Sequence, residues 1–510
     1  MLIRNLMFCS SKLTKGTNCL INQNVIRLIS LKVAIVGSGP AGFYTTQKLL
    51  KNPDVNVDIY EKLPVPFGLV RYGVAPDHQD VKNVIRSFTS VASNNNNRIN
   101  FYGNVSLGQD VQLEDLIEAY HAVVLCYGSA QDKLLNIEGE STTKNTISAR
   151  NFVGWYNGVP EDKDLDISLD CDTACIIGQG NVALDCARIL LRPSNLEQTD
   201  ITSYAQRTLA KSRIKKIYII GRRGPLQVAF TTKELRELIK LNEGRTYLDP
   251  VNVFDDCQVG LTELKRLQRH RQRISELLLS LRANGSPATV NDQTVDSHME
   301  CIFKFFSKPC KINSDPTSGR VNSLELQRTV YKEKADFLSK DAHPFETDQF
   351  ETIKCGLIIR SIGYKAIMLD KNLPSNKELG AILNTNGRVH GHKGLYCSGW
   401  LATGASGVIA GTLVSSQTAA QSILEDFSMR NLPSLSQGPK QKPGFELVSK
   451  ILRAKSKQVV HFNDWLRIDK LERQLGESSG KSREKLVDVE EMLRVARGDD
   501  DSTDSNRELN

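Results

Sequence analysis

Lys32-Val33-Ala34-Ile35-Val36-Gly37-Ser38-Gly39-Pro40-Ala41-Gly42 is a β-branched apolar run that breaks into a G-x-G-x-x-G turn and then into a helical pattern. Strand, glycine turn and helix in that order are the context in which this pattern binds a dinucleotide. Gly37 permits the tight turn, Gly39 lets the backbone approach a pyrophosphate, and Gly42 lets the helix pack on the strand. The helix N-terminus turns its unpaired N–H groups and positive dipole end toward the phosphates. A second strand, Val55-Asn56-Val57-Asp58-Ile59-Tyr60, ends at Glu61, 19 residues after Gly42. A carboxylate at that point accepts hydrogen bonds from a ribose. A glycine turn in an ordinary strand–helix–strand unit would not need the acid. Gly37, Gly39, Pro40, Ala41, Gly42 and Glu61 are therefore expected to line a first cofactor site.

About 140 residues later the pattern returns as Gly178-Gln179-Gly180-Asn181-Val182-Ala183, after the strand Thr173-Ala174-Cys175-Ile176-Ile177. Ala183 replaces the third glycine, an allowed variant. The next strand, Lys216–Ile220, ends in Gly221-Arg222-Arg223 with no acid at its tip. A carboxylate there would repel a 2′-phosphate, whereas paired guanidiniums would bind it through charge-assisted hydrogen bonds. The second site reads as NADP-specific; the competing reading of the arginines is a solvated surface pair. The polar segment Arg192–Arg213 reads as an insertion that lengthens this unit. Two fingerprints in one chain bring two cofactors together, and electron transfer between a flavin and a nicotinamide is the chemistry that requires it. The expected fold class is α/β with two Rossmann-like dinucleotide-binding domains.

Composition suits such an enzyme. Of 510 residues, 40% are apolar and 24% charged, ordinary for a globular chain, and the length allows two or three domains. No apolar run approaches the ~18 residues of a membrane span. The net charge of +8 favours an acidic partner; with aromatics at 6% and no recognition motif, nucleic acid is not expected. Residues 1–30 carry Arg4, Lys12, Lys15 and Arg27 but no acid, the first being Asp54. That composition reads as a mitochondrial transit peptide, or else as a basic tail with no address. Eleven cysteines lie scattered without a C-x-x-C pair, which argues against a redox disulfide, an iron–sulfur cluster or a metal site here. Further strand-to-glycine patterns occur at 122–128, 358–364 and 394–400, the last followed by the glycine-rich turn 403–409. Residues 413–426 read as a helix, and the polar 495–510 as a disordered tail.

Several blocks resemble one family, the mitochondrial NADPH-dependent adrenodoxin (ferredoxin) reductases, relatives of the glutathione-reductase-like flavoproteins. They are Val33–Gly42, Asp58–Lys62, Pro64–His78 (PVPFGLVRYGVAPDH), Gly178–Leu191, Gly221–Glu237 (GRRGPLQVAFTTKELRE), Ser361–Tyr364, Gly394–Trp400 and Arg483–Arg494. The resemblance implies an FAD domain in two segments, 31–133 and 358–494, with an NADP domain, 134–357, inserted between them. It implies that Ala41, Glu61, Leu69, Val105, Trp400, Gly407, Val408 and Ile409 contact FAD. Gln179, Asn181, Val182, Arg222, Arg223 and Glu234 would contact NADPH beside Gly178 and Gly180. His78 would manage a proton near the flavin, since an imidazole titrates near working pH, and Asp185 would orient it; the plainer alternatives are a turn residue and a helix-surface acid. The chain departs from the family at Ala405-Ser406, where Pro-Thr is usual, and across 243–300.

That divergent region carries Lys265, Arg266, Arg269, His270, Arg271 and Arg273. The family docks an acidic 2Fe–2S ferredoxin on a basic face of the NADP domain, and the charge sign suits electrostatic steering; Arg236 is a further candidate. A solvated helix face is the competing reading. The implied reaction passes a hydride from NADPH to FAD and single electrons to two successive ferredoxins. Mono-oxygenases for steroid-type hydroxylation, haem modification and iron–sulfur assembly are all compatible destinations. The implied protein is a monomer of the matrix, compatible with peripheral association with the inner membrane. Two rivals share these motifs: a glutamate-synthase-like NADPH flavoprotein subunit, which would bring N-terminal cysteine ligands, and a non-catalytic NADP-binding sensor, which would need no flavin.

Overall fold

The structure, a computed structural model, describes residues 30–94, 97–191, 196–241, 245–256, 261–284, 299–376, 378–405, 409–436 and 441–499. The expected transit peptide lies outside them, Ser30 apart.

Two largely parallel sheets carry the molecule. Strand Leu31–Val36 pairs in parallel with Val55–Tyr60 on one side and Ala122–Leu125 on the other. Ile99–Tyr102 and Leu395–Cys397 extend this sheet outward in parallel, and two short antiparallel strands, Arg388–Val389 and Asn384–Thr385, finish it. The opening apolar run is continuous because both faces are covered. Val33 and Ile35 enter one core with Phe43, Phe88, Trp465 and Met492. Ala34 and Val36 enter another with Tyr60, Tyr120 and Val448. The second sheet orders Thr146–Ser148, Leu357–Arg360, Thr173–Ile177, Lys216–Ile220, Glu300–Lys304 and Thr246–Asp249 in parallel. Its central strand divides likewise, Ala174 and Ile176 to one core and Cys175 and Ile177 to the other. A three-stranded antiparallel sheet (Ser307–Ser314, Val321–Val330, Phe345–Lys354) contributes Ile312, Leu324, Leu326 and Ile353 to that second core.

Two sequence boundaries move. Leu357–Arg360, assigned above to the second flavin segment from residue 358, lies inside the other sheet, between Thr146–Ser148 and Thr173–Ile177. The chain returns to the first sheet only after Tyr364–Lys365 pairs with Gln131–Asp132 as a two-stranded ribbon. The expected tail is helical as far as Arg497, because Met492, Leu493 and Ala496 bury a face in the first core. Gly498, left-handed at φ 82°, ends that helix. Residues 500–510 lie outside the described chain. The insertion at 192–213 is no loose polar loop in its described part: it forms helix Ser203–Ala210, and Ile201 and Thr202 are buried.

Candidate functional site

Each fingerprint is packed at its first glycine and open at its second. Gly37 has φ 104°, and a Cβ there would lie 2.7 Å from the Cys126 carbonyl carbon; one on Gly42 would lie 2.1 Å from the Gly37 oxygen. A Cβ on Gly39 would meet nothing within 4 Å. Pro40 is the first residue of helix Pro40–Leu49, so it sacrifices no helical donor. The Glu61 carboxylate reaches back to the turn, accepting from the Ser38 N–H at 3.0 Å and its hydroxyl at 2.7 Å.

The remaining flavin-side candidates gather round this turn. Val105 donates its N–H to the Glu61 carbonyl at 2.8 Å; its side chain is buried in the core, so it presents backbone alone. Leu69 opens the short helix Leu69–Tyr72 and is 45% exposed, just after Gly68, whose Cβ would touch the Gly39 Cα at 3.0 Å. Ala41 packs under Gly399, where φ is 66° and a Cβ would collide with the Ala41 Cβ at 2.6 Å. Trp400 follows at once and stacks on Tyr364, ring centroids 6.2 Å apart. Tyr364 was given no role above; it is also close enough to feel the Asp185 charge. Gly407 and Val408 lie outside the described residues, and Ile409 begins helix Ile409–Ser428, which packs on Pro40–Leu49.

At the second turn, Gly178 has φ 126° and a Cβ would lie 2.0 Å from the Ser361 carbonyl oxygen, while Gly180 faces open space. Gln179 accepts from the Ala229 and Phe230 N–H groups through its carbonyl, and its side chain lies against Gly221 with a buried Nε2 that has no hydrogen-bond partner. Asn181 Oδ1 accepts from Thr231 N at 2.7 Å, and Val182 is half-buried against the core. The arginine pair divides. Arg222 is exposed, whereas Arg223 is half-buried and donates to the Lys340 carbonyl at 3.1 Å.

A dense charge cluster joins the Asp77–His78 loop to helices Asn181–Leu191 and Thr232–Leu241. His78 Nε2 sits 2.9 Å from Glu237 Oε2 and 3.8 Å from Glu234 Oε2. Arg188, on helix Asn181–Leu191 with a side chain 2% exposed, forks onto Asp77 through Nε (2.9 Å) and Nη2 (3.1 Å). It also reaches Asp185 and Glu234, each at 2.9 Å. Burial raises the Asp185 carboxyl to about 6, against the pull of Arg188. Glu234, expected at NADPH, also meets Arg188 and His78. One expectation changes. The hydrogen-bond partner of His78 is Glu237, not Asp185, which lies near without bonding it. Glu237 and His78 are the last residues of the two long blocks quoted above, the only clue in the sequence to their meeting. His78, Asp185 and Glu234 lie close enough to hold a metal ion, but Asp185 and Glu234 are already paired with the Arg188 guanidinium.

The same loop is stitched further to the second unit. Asn157 Nδ2 donates to the Val74 carbonyl at 3.2 Å, Gln79 Nε2 to Asp200 Oδ1 at 3.0 Å, and Lys82 Nζ to both Asp200 oxygens at 2.6 and 2.7 Å. Lys485, from the C-terminal segment, reaches Asp200 at 3.0 Å.

The basic run begins just beyond helix Leu261–Leu264 and continues into helix Arg269–Ser280. Lys265, Arg266, Arg269, His270 and Arg273 are exposed, as is Arg236. Arg271 corrects the expectation of a docking role: it is half-buried and donates to the carbonyls of Leu338 (3.0 Å) and Leu226 (2.9 Å), so it holds the fold.

Open space at both second glycines, an acid at one strand tip and a guanidinium at the other fit two dinucleotides. Residues 31–240 match the family model described as pyridine nucleotide-disulphide oxidoreductase, the class that such paired turns define. The chain is 46% identical to the mitochondrial NADPH:adrenodoxin oxidoreductase of Homo sapiens over 91% of each protein, and 40% identical to that of Arabidopsis thaliana over 91% of this chain and 95% of the relative. FprA, a Mycobacterium tuberculosis oxidoreductase, superposes with a TM-score of 0.82 at 34% identity, over 92% of this chain and 100% of its own; its structure in complex with NADPH gives the same score at 33%. This chain belongs to the NADPH:adrenodoxin oxidoreductase family.

Proposed function

We infer that this protein is an FAD-dependent NADPH oxidoreductase that reduces an acidic 2Fe–2S ferredoxin of the adrenodoxin type. The observation that carries the reading is the seam: His78 from one unit and Glu237 from the other meet at 2.9 Å, and each unit carries a glycine turn whose second glycine faces open space. FAD is the natural occupant of the first turn, with Glu61 on its ribose and Ala41, Leu69, Val105 and Trp400 around it. NADPH fits the second, with Arg222 on the 2′-phosphate, Arg223 as its neighbour, and Gln179, Asn181 and Val182 at the pyrophosphate. Bound flavin would supply the conversion of a two-electron hydride into single electrons, which nicotinamide does not do readily. The chain's own share is orientation: His78 holds a proton at Nε2 against Glu237, and Asp185 and Glu234 set the field around it.

The exposed cations Lys265, Arg266, Arg269 and Arg273, with Arg236, offer the face for an acidic partner. We place the protein in the mitochondrial matrix and divide it into a flavin unit, 31 to about 130 and about 366 to 497, with the NADP unit between. The relatives are named as mitochondrial, which supports the address. Among the described residues no helix is long and apolar enough to cross a membrane. Of the two rivals, the sensor would have no use for an open first turn, and the glutamate-synthase-like subunit is not the family to which this chain belongs. The deciding assay is NADPH-dependent cytochrome c reduction with and without a mitochondrial ferredoxin. The rate should rise strongly with the ferredoxin; a rate indifferent to it overturns the partner assignment.

A further inference from the structure

Arg188 stands where three carboxylates converge. Its Nε and Nη2 fork onto Asp77 at 2.9 and 3.1 Å, and its other contacts, at 2.9 Å, go to Glu234 and Asp185. Glu237 lies one step further out, 2.9 Å from His78. Asp77 belongs to the loop that follows the first fingerprint's unit, whereas Arg188, Asp185, Glu234 and Glu237 sit on two helices of the second, Asn181–Leu191 and Thr232–Leu241. Asp77 and His78 are consecutive, so a guanidinium that fixes the first fixes the backbone of the second.

We propose that Arg188 is a positioning residue for hydride transfer: by clamping Asp77 across the seam, it sets the register of His78 between the two nucleotide units. The inference rests on the functional reading above. An arginine suits the task because its planar fork satisfies one carboxylate in two places and leaves donors for others. A lysine presents a point charge on a flexible stem and cannot reproduce the fork. The cluster also needs the charge. Without it Asp77, Asp185 and Glu234 would lose their nearest cation, leaving His78, with Lys233 beside Glu237 and Lys82 acting on Asp77, and like charges at such range resist ionisation. The other stitches across the seam, Asn157 to Val74 and Lys82 to Asp200, lie on either side of Asp77 and would keep the units together in its absence.

The test uses the flavin-loaded full-length protein and ferricyanide, a small acceptor that bypasses ferredoxin docking. Arg188→Met should lower kcat on the order of 10- to 100-fold, the scale set by misplacement of a reacting group. NADP+ affinity, read from the flavin absorbance change on titration, should stay within a few-fold. The acid limb of the pH profile should move upward, because Arg188 opposes the burial that raises Asp185. Arg188→Lys should recover part of the rate. Asp77→Asn should act in the same direction, and the double variant should be little worse than either single, as expected for two halves of one contact. If Arg188→Met does not fold, Arg188→Lys and Asp77→Asn carry the comparison. An unchanged kcat and pH profile in the variants, or additive losses in the double variant, overturns the inference alone. A wild-type protein inert toward NADPH overturns the functional reading, and this inference with it.

Discussion

Asp185 shows how one residue's setting makes a prediction. Burial raises its carboxyl to about 6, with Arg188 pulling the other way. A carboxyl raised in the folded state costs nothing at low pH, and its contribution to stability is lost as pH climbs through about 6. Asp185→Asn should therefore gain thermal stability relative to wild type as pH rises from 4 to 7, measured by melting in a pH series. If the ionised form supports His78, wild-type kcat should carry an acid limb near 6 that is missing from the variant. Residue scale also separates the arginine pair. Arg222 is exposed, while Arg223 is partly committed to the Lys340 carbonyl. Replacing both with Ala should cost roughly 3 kcal/mol in kcat/KM for NADPH and little for NADH. Arg222→Ala alone should account for most of that; an unchanged NADPH preference in the double variant would refute the assignment.

At the scale of the element, the strand–turn–helix units separate glycines that serve the fold from glycines that serve a ligand. A Cβ on Gly42 would press on the Gly37 oxygen at 2.1 Å, and one on Gly178 on the Ser361 oxygen at 2.0 Å. Gly42→Ala and Gly178→Ala must push helix or strand aside, and both should lose stability. Gly39 and Gly180 have nothing within 4 Å of that position. Gly39→Ala should leave the melting of the flavin-free protein nearly unchanged yet cut FAD retention, and Gly180→Ala should raise KM for NADPH without loss of bound flavin. Gel filtration followed by absorbance at 450 nm, with melting curves of the stripped proteins, distinguishes the two behaviours. Equal destabilisation at all four positions would mean that the open glycines are structural.

At the scale of the molecule, the C-terminal segment ties the two units together through buried charge. Asp200 faces Lys82 and Lys485. Burial works to raise its carboxyl, and the two ammoniums overcome that and hold it well below the usual range. Burial drives Lys485 down to about 7 against the pull of Asp200. Two lysines share one carboxylate, so the partners are not equivalent. Asp200→Asn leaves two buried cations uncompensated and should cost about 3–5 kcal/mol. Lys485→Met leaves the Lys82–Asp200 pair intact and should be near neutral or stabilising at pH 6. The lysine's depressed value means that its unfolded form holds the proton up to about 10.4, so its own contribution improves as pH rises from 7 toward 10. Urea unfolding of both variants tests this; equal losses would refute the asymmetry. The exposed basic helix acts at the same scale. Arg269→Glu with Arg273→Glu should cripple ferredoxin-dependent turnover and spare ferricyanide reduction, and wild-type ferredoxin turnover should fall with salt as fields beyond about 10 Å are screened near 0.1 M. Full ferredoxin activity in that variant at low salt would move the docking face elsewhere.

Both glycine turns and the α/β class were legible in the sequence, because they are written within a few consecutive residues: continuous apolar runs, glycines at fixed spacing, an acid or an arginine at a strand tip. The seam was not. His78 and Glu237 are 159 positions apart, and Asp77 and Arg188 are 111 apart; no local pattern pairs them, and only the folding of one unit against the other selected Glu237 over Asp185 as the partner of His78. The same holds for Arg271, indistinguishable in the chain from Arg269 and Arg273 but turned inward onto two carbonyls, and for the helix at 489–497, whose polar sequence hides the few side chains that bury it. Local backbone chemistry determined where the two glycine turns form and open. Long-range packing decided which charges meet across the seam, since a side chain's partner depends on the face its helix presents.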